Sequence, residues 1–120
     1  MDRKELEDRT KQFHINVIRL CNGLSKTAAG FEIAKQVIRS AGSVGANYRA
    51  TKRAKSTNDF INKLKIIIEE ADESLYWLEV IRDIPLLNNE KVNPLIQEAN
   101  ELVAIFVSAL KTMSQNKNSN

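Results

Sequence analysis

The stretch STNDFINKLKIIIEEADESLYWLEVIRDIP, residues 56–85, decides the fold. Phe60, Leu64, Ile67, Ala71, Ser74, Leu78 and Ile81 follow one another at spacings of three and four, which places them on one face of a helix. Ser56 with Asp59 three residues later has the form of a capping box, Asp standing where Glu is usual. Pro85 stops the pattern. A heptad row of this length suits neighbours that cross at a shallow angle of roughly 20°.

Three more helical patterns flank it. Phe13, Val17, Leu20 and Leu24 anchor the first, which starts between Asp2 and Thr10 and closes near Asn22 and Gly23. Phe31, Ala34, Ile38, Ala41, Gly45 and Tyr48 form the expected inward stripe of the second. Leu95, Ala99, Leu102, Phe106, Ala109 and Met113 form that of the fourth. Asn88 or Asn93 can cap the fourth helix; Pro94 suits its first position if Asn93 is the cap, and should kink it if Asn88 is. The expected helices are about 8–22, 27–52, 56–84 and 89–113, in one domain spanning 1–113, with 114–120 a disordered polar tail. No strand alternation interrupts them. The fold expected is all-α, an up-down-up-down antiparallel four-helix bundle.

The apolar stripes are wider than one core requires. The third helix adds Ile61, Ile66, Ile68, Leu75, Trp77 and Val80 to its heptad row, and the fourth adds Ile96, Val103 and Val107. A surface helix needs one apolar face. A second one points to self-association, with Trp77 and Val80 as interface candidates.

The chain has 120 residues and a net charge of +3, but the charge is segregated. Eight basic residues stand against the single acid Asp59 between Lys35 and Lys65, and nine acids stand against Arg82 and Lys91 between Glu69 and Glu101. Lys35, Arg39, Gly42, Ala46, Arg49 and Arg53 lie on one helical stripe whose middle is poor in side chains and whose ends are cationic. Gly45 lies on the neighbouring row and allows close helix packing, while Gly42 and Ala46 offer close approach to something from outside, a second interface element. An ordinary solvated face mixes both signs. Unmixed positive charge is the footprint of phosphate binding, so Lys35, Arg39, Arg49, Lys52, Arg53 and Lys55 are the candidate nucleic-acid contacts. With only Tyr48 nearby to stack on a base, backbone contact without sequence preference is the expected mode.

Catalytic chemistry is hard to assemble. His14 lies on one row with Cys21, but no second ligand cluster completes a zinc site, and two helical turns separate the thiol from its only base. Glu69 and Glu73 stand one turn apart, a spacing open to a divalent ion, yet no Glu-x-x-His motif accompanies them. Gly42 and Gly45 do not belong to a phosphate loop. The expectation is a non-enzyme without cofactor. The polar N-terminus is no signal peptide, no apolar run reaches membrane-span length, and the single cysteine fits a reducing compartment. A cytoplasmic protein without membrane contact is expected.

Three motifs in order carry a resemblance: Ser43-Val44-Gly45-Ala46-Asn47, then Asp59-Phe60-Ile61-Asn62-Lys63-Leu64, then Glu73-Ser74-Leu75-Tyr76-Trp77-Leu78-Glu79. They resemble the signature of the bacterial four-helix-bundle proteins encoded by intervening sequences in 23S rRNA genes. Those are similar in turn to the accessory variability protein of diversity-generating retroelements, a pentamer that binds nucleic acid and a reverse transcriptase. The resemblance implies a homopentamer, nucleic-acid binding through helix two and the start of helix three, and no catalytic residues. A reverse-transcriptase partner is implied only remotely. The function expected is therefore an oligomeric protein that binds RNA or DNA. The alternative is an interaction scaffold whose basic surface pairs with acidic surfaces of neighbouring subunits or of a partner protein.

Overall fold

The computed structural model describes residues 1–84 and 86–119, with side chains to Lys117. It contains α1 (Arg3–Cys21), α2 (Ala28–Ala50) followed by a 3-10 turn (Thr51–Arg53), α3 (Thr57–Asp83) and α4 (Asn89–Ser119). No strand occurs among the described residues. Consecutive helices joined by short connections pack as an up-down-up-down bundle measuring 52 × 22 × 21 Å.

Each helix begins where a side chain satisfies its free N–H groups. Asp2 accepts from Glu5 N at 2.8 Å, Thr27 from Gly30 N at 3.0 Å and Ser56 from Asp59 N at 3.0 Å. The α3 cap departs from the usual reciprocal box. Asp59 Oδ2 accepts from the N–H of Lys55 at 2.9 Å, one residue before the cap. Asn88 caps α4 through Glu90 N at 2.8 Å, so Pro94 lies inside the helix, where it has no N–H to offer Glu90.

Two bounds differ from the nominal ones. α1 starts at Arg3, five residues before the nominal bound but within the expected range, because Asp2 caps it and Leu6 and Thr10 are buried in its polar first half. α4 runs past Met113 through Ser119, where a disordered tail is expected, and Lys117 Nζ reaches across to Asn58 Oδ1 at the start of α3. Asn120 and the expected helix stop at Pro85 lie outside the described residues.

Phe13, Val17, Leu20 and Leu24 are buried, as are Leu64, Ile67, Ala71, Leu78 and Ile81 on α3 and Leu95, Ala99, Leu102 and Phe106 on α4. Each large side chain so placed contributes about 1.5–3 kcal/mol relative to exposure. The inward face of α2 is turned from the expected stripe. Ile33, Val37, Ala41, Val44 and Tyr48 face the core, whereas Phe31 is 65% exposed. α2 packs on two neighbours, and its many small residues make both contact faces look alike in the sequence.

The hydroxyls of the buried residues Thr10, Ser40, Thr51 and Ser74 are all matched. Ser74 Oγ of α3 donates to Ser40 Oγ of α2 at 2.8 Å, and Ser40 Oγ donates to Val37 O at 3.3 Å. Thr10 and Thr51 donate to the carbonyls three residues back. α1 and α4 share the narrowest contact in the bundle, and Arg9 bridges it with paired bonds to Glu98 (2.8 and 2.5 Å) and one to Glu101 (3.2 Å).

Candidate nucleic-acid interface

The basic run does not form one free surface. Arg39 turns toward α3 and pairs with Glu70 Oε2 at 3.0 Å and with Glu73 Oε2, which also accepts from Trp77 Nε1 at 3.2 Å. Those carboxylates, Glu73 first, push the guanidinium above its ordinary pKa. Lys52 approaches Glu7 Oε1 of α1 at 3.0 Å. The ammonium is the main reason the Glu7 carboxyl is held below its usual range. Lys35, Arg49, Arg53 and Lys55 are exposed, and their side chains make no ion pair among the described residues. Two of six predicted cations are thus engaged with acids of the same chain. Sequence reasoning missed this because the partners lie 31 to 45 residues away.

Gly42 departs from its predicted role. What approaches it is the imidazole of His14 from α1: a Cβ at Gly42 would lie 2.8 Å from His14 Nε2. It serves packing within the chain instead of an outside partner. Gly45 has a matching place against Thr10, where a Cβ would lie 3.4 Å from Oγ1. Ala46 is exposed.

Together these small residues floor a groove of about 510 Å³ between α1 and α2. Lys4, Glu7, Asp8 and Lys11 line one wall, Arg49 and Lys52 the other, and His14 closes the Gly42 end. The α1 residues recur at spacings of three and four, so one helical face presents them all. Lys4 is held by Asp8 at 2.8 Å. Lys4 and Lys11 were outside the predicted set because they precede the basic run by more than twenty residues; their seven-residue separation was the available signal.

At the far end of the groove α1 is pinned to the end of α2. Arg3 donates to Tyr48 O at 3.1 Å and Thr51 Oγ1 at 2.8 Å and lies over the Tyr48 ring, 4.8 Å from its centre. Arg3 Nε and Glu7 Oε1 approach to 3.3 Å, yet neither atom has an aligned hydrogen bond.

The acidic segment carries no ligand cage. Glu69 is exposed and Glu73 is held by Arg39 and Trp77, and among the described residues no three His, Cys, Asp or Glu side chains converge on a metal position. Cys21 is half-buried, and burial pushes its thiol up to about 11, against nucleophilic use. Trp77 and Val80 are half-buried at the edge of an outward α3 strip in which Ile66, Tyr76 and Ile84 are 43%, 56% and 50% exposed. No described helix is long and apolar enough to cross a membrane.

Over residues 4–108 the chain matches the family described as 23S rRNA-intervening sequence protein. It is similar to a crystal structure of a protein with unknown function from the S23 ribosomal protein family of Bacteroides thetaiotaomicron. The identity is 32%, the TM-score 0.83, and the alignment covers 92% of this chain and 99% of the other. No curated protein is similar enough to match.

Proposed function

The chain belongs to the family of 23S rRNA-intervening sequence proteins, and on that premise we propose that it is a non-catalytic, self-associating protein that binds RNA or DNA. The observation that carries this reading is the imbalance left after internal pairing. Arg49 and Arg53 stand exposed around the C-terminal end of α2 with no ion pair among the described residues, and Lys55, whose own N–H bonds the Asp59 carboxylate, is exposed beside them. Such a cluster attracts phosphates by releasing counterions from the strand. Phosphate contact carries no base information, so binding is tolerant of sequence. Assembly into a ring, the homopentamer implied by resemblance, would let weak sites on several subunits act on one strand.

The scaffold alternative draws less support. Of the acids between Glu69 and Glu73 that it would use, Glu70 and Glu73 are already engaged by Arg39 of the same chain, and Glu69 and Asp72 stay exposed.

A titration of a labelled mixed-sequence single strand across a salt series tests the reading. Log affinity should fall with log salt at about 0.7 per phosphate neutralised. Changing Arg49 and Arg53 together to Gln should lower the slope by roughly 1.4 per engaged subunit, alike for unrelated sequences. Absence of salt-sensitive binding by the unaltered protein would end the proposal.

A further inference from the structure

We infer that the groove between α1 and α2 seats the backbone of a single strand, with Lys11 and Arg49 as its phosphate contacts and Glu7 as a built-in competitor for Lys52. This rests on the nucleic-acid reading above and moves its centre from the outer face of α2 to a cleft shared with α1.

The groove has the features a phosphate chain needs. Its floor of Gly42, Gly45 and Ala46 is poor in side chains, and Ala46 is the exposed part of it. Its volume of about 510 Å³ lies within the range of small-ligand clefts. Its walls are the side chains that rise from two packed helices on either side of their shared outer surface. A strand can lie between them, whereas a duplex presents a convex surface too broad to enter. Cations stand on both walls, so a phosphate between them is held from two sides.

The four groove cations are not equivalent. Lys4 is held by Asp8 and Lys52 by Glu7. Lys11 on the α1 wall and Arg49 on the α2 wall have no carboxylate partner among the described residues. They are the positions open to an incoming phosphate. Lys52 is the reserve. Glu7 Oε1 is buried and holds Lys52 at 3.0 Å, an ion pair that an incoming phosphate can displace. A phosphate offers Lys52 the same charge with better-directed oxygens.

Four variants in one titration, with a mixed-sequence single strand and its duplex as probes, test the inference. Ala46→Leu fills the floor from an exposed position that supports no core residue. It should weaken single-strand binding roughly tenfold and leave duplex binding nearly unchanged. Lys11→Gln should lower the single-strand salt slope by about 0.7. Glu7→Gln, by releasing Lys52, should tighten binding and steepen the slope by a similar amount, about 0.7. Lys111→Gln, the same charge change on an exposed α4 position, should do none of this. If the unaltered protein binds the strand but Ala46→Leu and Lys11→Gln bind equally well, the groove is not the seat, though the broader reading survives. If Ala46→Leu weakens duplex and single strand alike, the preference for a single strand is wrong. If the unaltered protein binds neither probe, both proposals fall.

Discussion

α2 carries three glycines that serve three different purposes, and alanine substitution separates them. At Gly30, the third residue of α2, a Cβ would lie 2.0 Å from the carbonyl oxygen of Ser25, a backbone atom that cannot swing away. Gly30→Ala should destabilise by about 1–3 kcal/mol or more, since the loop before the helix must shift. At Gly45 the added methyl meets Thr10 at ordinary contact distance, so the gain in helix propensity dominates. Gly45→Ala should stabilise by up to about 1 kcal/mol. At Gly42 the clash is with the far end of the half-exposed His14 ring, which can rotate out, leaving stability nearly unchanged. Urea midpoints of the three variants check the order; a destabilised Gly45→Ala would mean that Thr10 cannot give way. None of this was readable from the sequence, where glycine shows only that a side chain is absent. What fills the space comes from another helix.

At the scale of the helices, existence was legible and orientation was not. α3 could be read because its heptad row of large residues admits one inward face. α2 could not, because Ala34, Ala41, Gly42 and Gly45 pack toward neighbours without announcing it. The start of α1 was hidden by a sequence in which only Leu6 and Thr10 are buried before Phe13. Ser74 belonged to the expected α3 row, but its partner Ser40 was not foreseen, since a lone buried hydroxyl does not reveal what it bonds. That pair ties α2 to α3 inside the core. Ser74→Ala removes the donor to Ser40 and should cost about 1 kcal/mol. The double change Ser40→Ala with Ser74→Ala should cost less than the two single changes together, by about 0.5 kcal/mol or more. Simple additivity in a double-mutant cycle would show that the two hydroxyls do not depend on one another.

At the scale of the whole molecule, the segregated charge visible in the sequence is partly cancelled on folding, through Arg39 and Lys52, and what escapes cancellation carries the proposed function. The surplus apolar residues are likewise only partly absorbed. Ile68, Leu75, Val103 and Ile96 pack against the core, while Ile66 and Tyr76 of α3 and Ile84 just after it remain outward. Light scattering should therefore give a mass several times 13.6 kDa, and Tyr76→Glu should reduce it. A 13.6 kDa particle at tens of micromolar would refute self-association, and a dimer only the pentamer. The narrow α1–α4 contact has a consequence of another kind, in the order of events during synthesis. α1 leaves the ribosome first, and its neighbour α2 follows at once, so that hairpin closes over short chain separations. Glu98 and Glu101, which hold Arg9, lie about ninety residues downstream. The contact that closes the ring of helices thus bears the longest loop and waits for the end of translation. Until then the side of α1 that carries Arg9 is uncovered, and the nascent chain is most vulnerable to the wrong neighbour there.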